Sequence, residues 1–321
     1  VPITSYIKEI GRGKEGARAL CTEQAHDLMS QVLDGRVSDL ELGAFCLAMR
    51  IKGETPEELL GFMQAVHERC VGLRAALSLA QAESMNGMVL LPSYNGSRKL
   101  PNLTPLLAWA LARRGMAVLV HGPHRDPSRV TSAQVFMAGG WPVVDGPNAA
   151  TDLGSAWAAE KPAFMPIEVL CPPLARLLDL RWALGLRNPG HTMAKLLNPL
   201  GRGVQVVNHT HPEYATSLAS YLQISQSNAL LMRGTEGEPV ADARRQPRFD
   251  VFLNGQRVEA LCRAPQEGAL VSLPELPEGR EADVTAAWIQ SVLDGHVPLP
   301  AAIEAQADCL LAAAKGQRGR A

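Results

Sequence analysis

A chain of 321 residues with 46% hydrophobic content can bury a large core, which makes an ordinary globular protein of one large domain or two the default. A formal charge of −1 gives no global sign of a nucleic-acid binder. The charge is nevertheless uneven: residues 1–86 carry 9 basic and 12 acidic side chains, residues 87–211 carry 12 and 6, and residues 212–321 carry 10 and 14. A basic middle between acidic ends suggests an anionic partner.

The helical pattern starts at Thr22 and runs to about Leu79. Apolar Ala25, Leu28, Met29, Val32 and Leu33 recur at helical spacing up to Gly35. Ser38 with Glu41 forms a capping box for the next helix, which Gly53 stops. Thr55, Pro56 and Glu58 open a third helix, with proline at the first position and acids in the first turn. Three short-looped helices predict a compact N-terminal subdomain.

From Met88 the style changes. Strand-like runs Met88–Leu91, Ala117–Val120, Val204–Val207 and Ala229–Met232 alternate with helical stretches near Leu103–Arg114, Leu174–Gly185 and Glu213–Leu222, which predicts a mainly parallel sheet flanked by helices. Asp250–Leu253 and Arg257–Leu261, joined by Asn254-Gly255, read as a hairpin with a type I′ turn. Pro265–Gly279 reads as a loop, and a last helix near Ala301–Ala314 precedes a frayed basic tail of Lys315, Arg318 and Arg320.

The six cysteines are widely spaced, with no CxxC pair and no metal-ligand spacing, so no metal site is expected. No apolar run approaches the ~20 residues that span a bilayer, and the N-terminus has no signal-peptide pattern. No membrane is expected as a partner, and a reducing cytoplasm is the expected location.

The strand-to-helix turn Pro92-Ser93-Tyr94-Asn95-Gly96-Ser97-Arg98-Lys99 is the most informative segment. Such a turn is where an α/β protein cradles phosphate, because helix N-terminal amides point there and glycines let the backbone approach. Here Gly96 is the single glycine, and Arg98 with Lys99 adds side-chain cations.

Read together, Asp34-Gly35-Arg36-Val37-Ser38-Asp39, Gly43-Ala44-Phe45 and Lys52-Gly53-Glu54-Thr55-Pro56-Glu57-Glu58 resemble the helical domain of anthranilate phosphoribosyltransferases. His121-Gly122, Arg181 with Leu184-Gly185-Leu186-Arg187, and Asn198-Pro199-Leu200 resemble further family elements in the right order. The resemblance implies a helical domain over residues 1–86, with part of 171–200 packed on it, and an α/β domain over 87–321. It also implies a homodimer formed through the helical domains. In that family a Gly-Thr-Gly-Gly-Asp turn holds the pyrophosphate of phosphoribosyl pyrophosphate, and the equivalent stretch here is Pro92–Gly96. Asn102 and Thr104 align with the family's following Asn-x-Ser. The family's lysine before His-Gly is Val120, the asparagine after it is Pro123, and a later phosphate-side lysine is Arg129. Its Asp-Glu magnesium pair falls near Glu238-Pro239, so one carboxylate is missing. This combined loss resembles the YbiB-like branch, and implies nucleic-acid binding in place of phosphoribosyl anthranilate synthesis.

The candidate phosphate and nucleic-acid contacts are Arg98, Lys99, Arg125 and Arg129 near the turn, then Arg176, Arg181, Arg187, Lys195 and Arg202 in a stretch whose single acid is Asp179. Tyr94, Asn95, Gly96, Asn102, Thr104, His121 and Gly122 are expected to line the pocket. Tyr94 and Trp182 are the expected base-stacking residues, and the other tryptophans are expected in the core. No catalytic residue and no cofactor is expected. The alternative is an active transferase with an unknown acceptor, for which Mg2+ would be required.

Overall fold

Local capping chemistry defines the helical N-terminal part of the computed structural model, which describes residues 2–13, 15–73, 85–268 and 272–318. Helix α1 spans Ile3–Ile10, α2 Thr22–Leu33, α3 Asp39–Lys52 and α4 Pro56–His67. The Ser38 amide donates to Glu41 at 2.9 Å and the Glu41 amide returns to Ser38 Oγ at 3.4 Å, so both orphan donors are satisfied as the spacing predicts. Thr55 and Glu58 repeat the box at α4. Helix α1 was not expected; it has no side-chain cap, and its buried Ile3, Tyr6 and Ile10 give it a place against α3. The part of the expected helical run from 74 to 79 lies outside the described residues.

Glu58 does more than cap. Fully buried, it accepts the amides of Thr55 and Leu20 at 2.9 Å each and pairs with Lys52 at 2.5 Å. A buried charge is tolerated only when it is paired and hydrogen-bonded in this way.

The sheet has the order β3-β2-β1-β4-β5-β6-β7, from β1 (Met88–Pro92), β2 (Ala117–Gly122), β3 (Ala163–Pro166), β4 (Val204–His209), β5 (Ala229–Arg233), β6 (Phe249–Leu253) and β7 (Gln256–Arg257). The first five run parallel and the last two are antiparallel. Period-two alternation separates two cores. Leu90, Leu119, Val207 and Leu231 face one that is continuous with the N-terminal helices. Val89, Leu91, Val118, Val206 and Leu230 face the other. On that second side lie α5 (Thr104–Ala112), α6 (Ser132–Ala138), α12 (Ala282–Leu293) and α13 (Ala301–Arg318).

The remaining helices are α7 (Ala149–Ala158), α8 (Ile167–Leu170), α9 (Pro172–Leu184), α10 (Gly190–Leu196) and α11 (Glu213–Ile224). Helix α9 contacts α2, while α10 and α11 contact α4. Asn254 (φ 49°) and Gly255 (φ 74°) give the I′ turn its two left-handed residues, although residues 259–261 form a 3-10 turn in place of more strand. The last helix is longer than its periodicity suggests and takes in Lys315 and Arg318; Arg320 lies outside the described residues.

Glu58→Ala strands buried Lys52 and two amides. It should lower unfolding free energy by about 3–5 kcal/mol in denaturant titration; a loss under about 1 kcal/mol would contradict the role given to this pair.

Candidate functional site

The parallel strands reverse order between β1 and β4, and the crevice outside their carboxyl ends is where an open α/β sheet holds ligands. The turn after β1 runs along this crevice. It first continues the parallel β1–β2 ladder, with the Ser93 amide donating to the His121 carbonyl at 2.8 Å. Gly122 permits this approach, because a Cβ there would sit 1.9 Å from the Ser93 carbonyl oxygen. Tyr94 turns inward, is 4% exposed, and its hydroxyl meets His121 Nδ1 at 2.8 Å. This corrects the expectation that Tyr94 stacks on bases: its ring packs edge-on against His121 in the core.

The turn's amides are already occupied. Asn95 and Gly96 each donate a backbone N–H to Glu238 Oε1 at 2.8 Å. Ser93 Oγ donates to Oε2, and Asn102 Nδ2 and Thr104 Oγ1 lie 3.4 Å from the same oxygen. Consecutive amides of this kind form an anion-binding nest. Here the anion is the chain's own carboxylate, 1% exposed.

A second carboxylate from the same loop closes the next stretch. Glu236 accepts the amides of Arg98, Lys99 and Leu100 at 2.9–3.1 Å. Partial burial pushes its carboxyl up, but those three amides outweigh it and hold the group below its ordinary range. Gly237 (φ 86°) lets the loop lie this close, since a Cβ there would fall 1.7 Å from Asn95 Nδ2. Sequence reasoning found Glu238 only as the remnant of a magnesium pair; Glu236 it missed. A glutamate on each side of a glycine was the available signal.

The expected cations divide. Arg98, Lys99 and Arg125 are exposed, and Arg129 reaches the Gly96 carbonyl from beside the turn. Arg181 is paired with Asp126 and lies over the exposed Trp182 ring at 4.0 Å, so the second expected stacking residue already carries an arginine on its face. Arg176 donates to the Leu33 carbonyl and joins α9 to α2. Arg202 precedes β4, at the opposite end of the strand from the crevice.

Arg187 and Lys195 belong to a cavity of about 330 Å3 that α3, α10, α11 and the end of β4 enclose. Burial pushes the Arg187 guanidinium down from its ordinary value, and Arg129 and Arg181 add to the effect. Burial first, and Arg187 second, bring Lys195 to about 8. Arg50, which sequence reasoning did not single out, faces the cavity from α3. Of the expected pocket residues, Asn95, Gly96, Asn102 and Thr104 surround Glu238, while His121 is fully buried beneath the turn. Trp141 and Trp157 are core residues and Trp109 packs against the core, as expected. No His, Cys, Asp and Glu grouping suited to a metal ion occurs among the described residues, and no described helix is long and apolar enough to cross a membrane.

Comparison with known proteins places this geometry. Residues 4–70 match the helical bundle domain of the glycosyl transferase family. The uncharacterized protein YbiB of Escherichia coli (strain K12) is 39% identical over 311 residues, 96% of this chain and 92% of that protein. An anthranilate phosphoribosyltransferase of Listeria monocytogenes (serotype 4b, strain CLIP80459) is 26% identical over 86% of this chain and 79% of its own. The fold is shared with anthranilate phosphoribosyltransferase from Thermus thermophilus, at TM-score 0.73 and 21% identity over 99% of this chain and 89% of that one. It is shared also with the Saccharomyces cerevisiae enzyme in complex with PRPP and Mg, at TM-score 0.67 and 13% identity over 99% and 91%.

Glu238→Ala should open the nest, lowering stability by about 3 kcal/mol in denaturant titration and making the variant gain more stability from millimolar sulfate than the native chain does. Equal sulfate stabilisation of both proteins would contradict an occupied nest.

Burial holds His121 and His191 down to about 3, whereas in the unfolded chain each titrates near 6.5. Between those values the unfolded state binds more protons, so stability rises with pH and is lost as pH falls below about 6.5, by about 1.4 kcal/mol per unit per histidine. Denaturation at several pH values should show this slope, and His121→Gln should remove its share; an unchanged slope would contradict it.

Proposed function

This chain belongs to the family of Escherichia coli YbiB, built on the anthranilate phosphoribosyltransferase scaffold, and on that premise we propose that it is a homodimeric nucleic-acid-binding protein that makes no phosphoribosyl anthranilate. The observation that carries the proposal is the filled nest: Glu238 and Glu236 take the amides that would otherwise hold a pyrophosphate. Transfer of a phosphoribosyl group depends on electrostatic holding of a magnesium-pyrophosphate leaving group. In this chain the magnesium-side carboxylate is turned into the nest as its anion.

What the filled turn leaves outward is cationic. Arg98, Lys99 and Arg125 are exposed, with Arg129 beside them, in the chain's basic middle segment. Side-chain cations on a surface suit a phosphate polymer, where each neutralised phosphate releases counterions and base identity matters little. A dimer would double the number of cations available. Helix α3 supports one: Leu40, Leu47 and Ile51 are 84%, 50% and 59% exposed and lie on one helix face with Ala44. A second copy of the same face would bury them.

Fluorescence anisotropy of a labelled oligonucleotide should report affinity that falls log-linearly with salt. Replacing Arg98, Lys99 and Arg129 together by glutamate should weaken binding by a similar factor, about tenfold or more, for unrelated sequences. Salt-independent binding, an unchanged affinity, or turnover of phosphoribosyl pyrophosphate by the native protein would contradict the proposal.

A further inference from the structure

The cavity between α3 and the α10 region is a second place where anions are called for, separate from the filled nest. Its volume of about 330 Å3 falls within the ~300–1,000 Å3 range of small-molecule sites. Arg50 faces it from the helical part, and Arg187 and Lys195 face it from the α/β part. Neither Arg187 nor Lys195 has a salt-bridge or hydrogen-bond partner for its side chain among the described residues; Asp126, which acts on Arg187, is committed to Arg181, and Glu238, which acts on Lys195, is already held by the turn's amides. The single acid in the lining is Glu54, which burial pushes up to about 7, so at neutral pH it is only about half ionised and offsets only part of this charge. Desolvated cations whose neighbouring acids are bound elsewhere are costly, and a bound anion lowers that cost. Asn208 adds an independent sign. This lining residue is 3% exposed, and neither its amide nitrogen nor its amide oxygen has a hydrogen-bond partner among the described residues.

We infer that this cavity binds a phosphomonoester, either a free nucleotide-sized molecule or the phosphorylated end of a nucleic-acid strand. A monoester carries about two charges and three terminal oxygens at neutral pH, against one charge for a diester, and so matches two unpaired cations with a third opposite. Hydroxyls of Thr192, Thr210 and Ser217 supply further donors. The Asn208 amide, donor and acceptor together, suits the sugar or base attached to the phosphate.

The strand-end source rests on the nucleic-acid reading; the free-nucleotide source does not. The test is calorimetric titration of the native protein at fixed salt with adenosine 5′-monophosphate against adenosine, and with a 5′-phosphorylated oligonucleotide against the same strand ending in hydroxyl. The phosphorylated member of at least one pair should bind about tenfold or more tightly, and Lys195→Met should abolish the difference. A gain for the mononucleotide alone assigns the free source, and a gain for the strand alone assigns the strand end. No gain in either pair, or a gain that survives Lys195→Met in a variant with native circular dichroism, overturns the inference. Failure of the hydroxyl-ended strand to bind while the mononucleotide binds would remove the nucleic-acid reading and leave the cavity's role standing.

Discussion

A carboxylate buried at the carboxyl end of a parallel sheet needs donors, and Glu238 takes them from the turn that follows β1. Two amides and the Ser93 hydroxyl bind it, and Asn102 and Thr104 complete its surroundings. Hydrogen bonds to a charged group contribute about 1.5–3 kcal/mol each, so this single side chain ties the 234–240 loop to the turn. The remaining geometry follows. Glu236 is brought over the amides of residues 98–100 in left-handed backbone (φ 52°), Tyr94 is driven inward onto His121, and Arg98 with Lys99 is left pointing outward. The crevice at the reversal of strand order is thereby closed on its β1 side. On its β4 side it opens into the cavity of Arg187, Lys195 and Asn208.

Which parts were readable in the sequence follows from the range of the forces involved. Capping boxes at Ser38 and Thr55 act over three residues, and the alternation of Val89, Leu90 and Leu91 acts over two, so helix starts and strand faces are legible locally. The Glu238 nest joins residues 142 and 143 positions apart, and no local pattern announces it. The resemblance to phosphoribosyltransferases located both halves without showing that they meet. Tyr94 was misjudged because its neighbours Arg98 and Lys99 are exposed; the left-handed Gly96 separates them from Tyr94, which is itself buried. The arginines from Arg176 to Arg202 look like one series in sequence, yet the left-handed Gly185 ends α9 and the chain then crosses the sheet, which sends Arg202 to the far end of β4. Helix α10, seven residues long, offers too short a period to be recognised, and it is the helix that carries Lys195.

Scaffold and chemistry separate cleanly in this chain. The fold shared with anthranilate phosphoribosyltransferases survives because its two cores are made by alternation and helix packing, which are indifferent to the residues at the turn. The substitutions that fill the nest act on a few positions at the strand ends. On the function proposed above, they exchange a backbone cradle for side-chain cations, and with it a site for one magnesium-bound pyrophosphate for a surface suited to many phosphates.

The central claim is that the chain's own carboxylate occupies the turn. The most direct measurement is a titration of the native protein with pyrophosphate and Mg2+, following the backbone amide resonances of Asn95 and Gly96. These amides should stay unshifted up to millimolar pyrophosphate, because Glu238 already holds them. Saturable shifts of both at micromolar concentration would contradict the account and return the turn to the role of a pyrophosphate cradle.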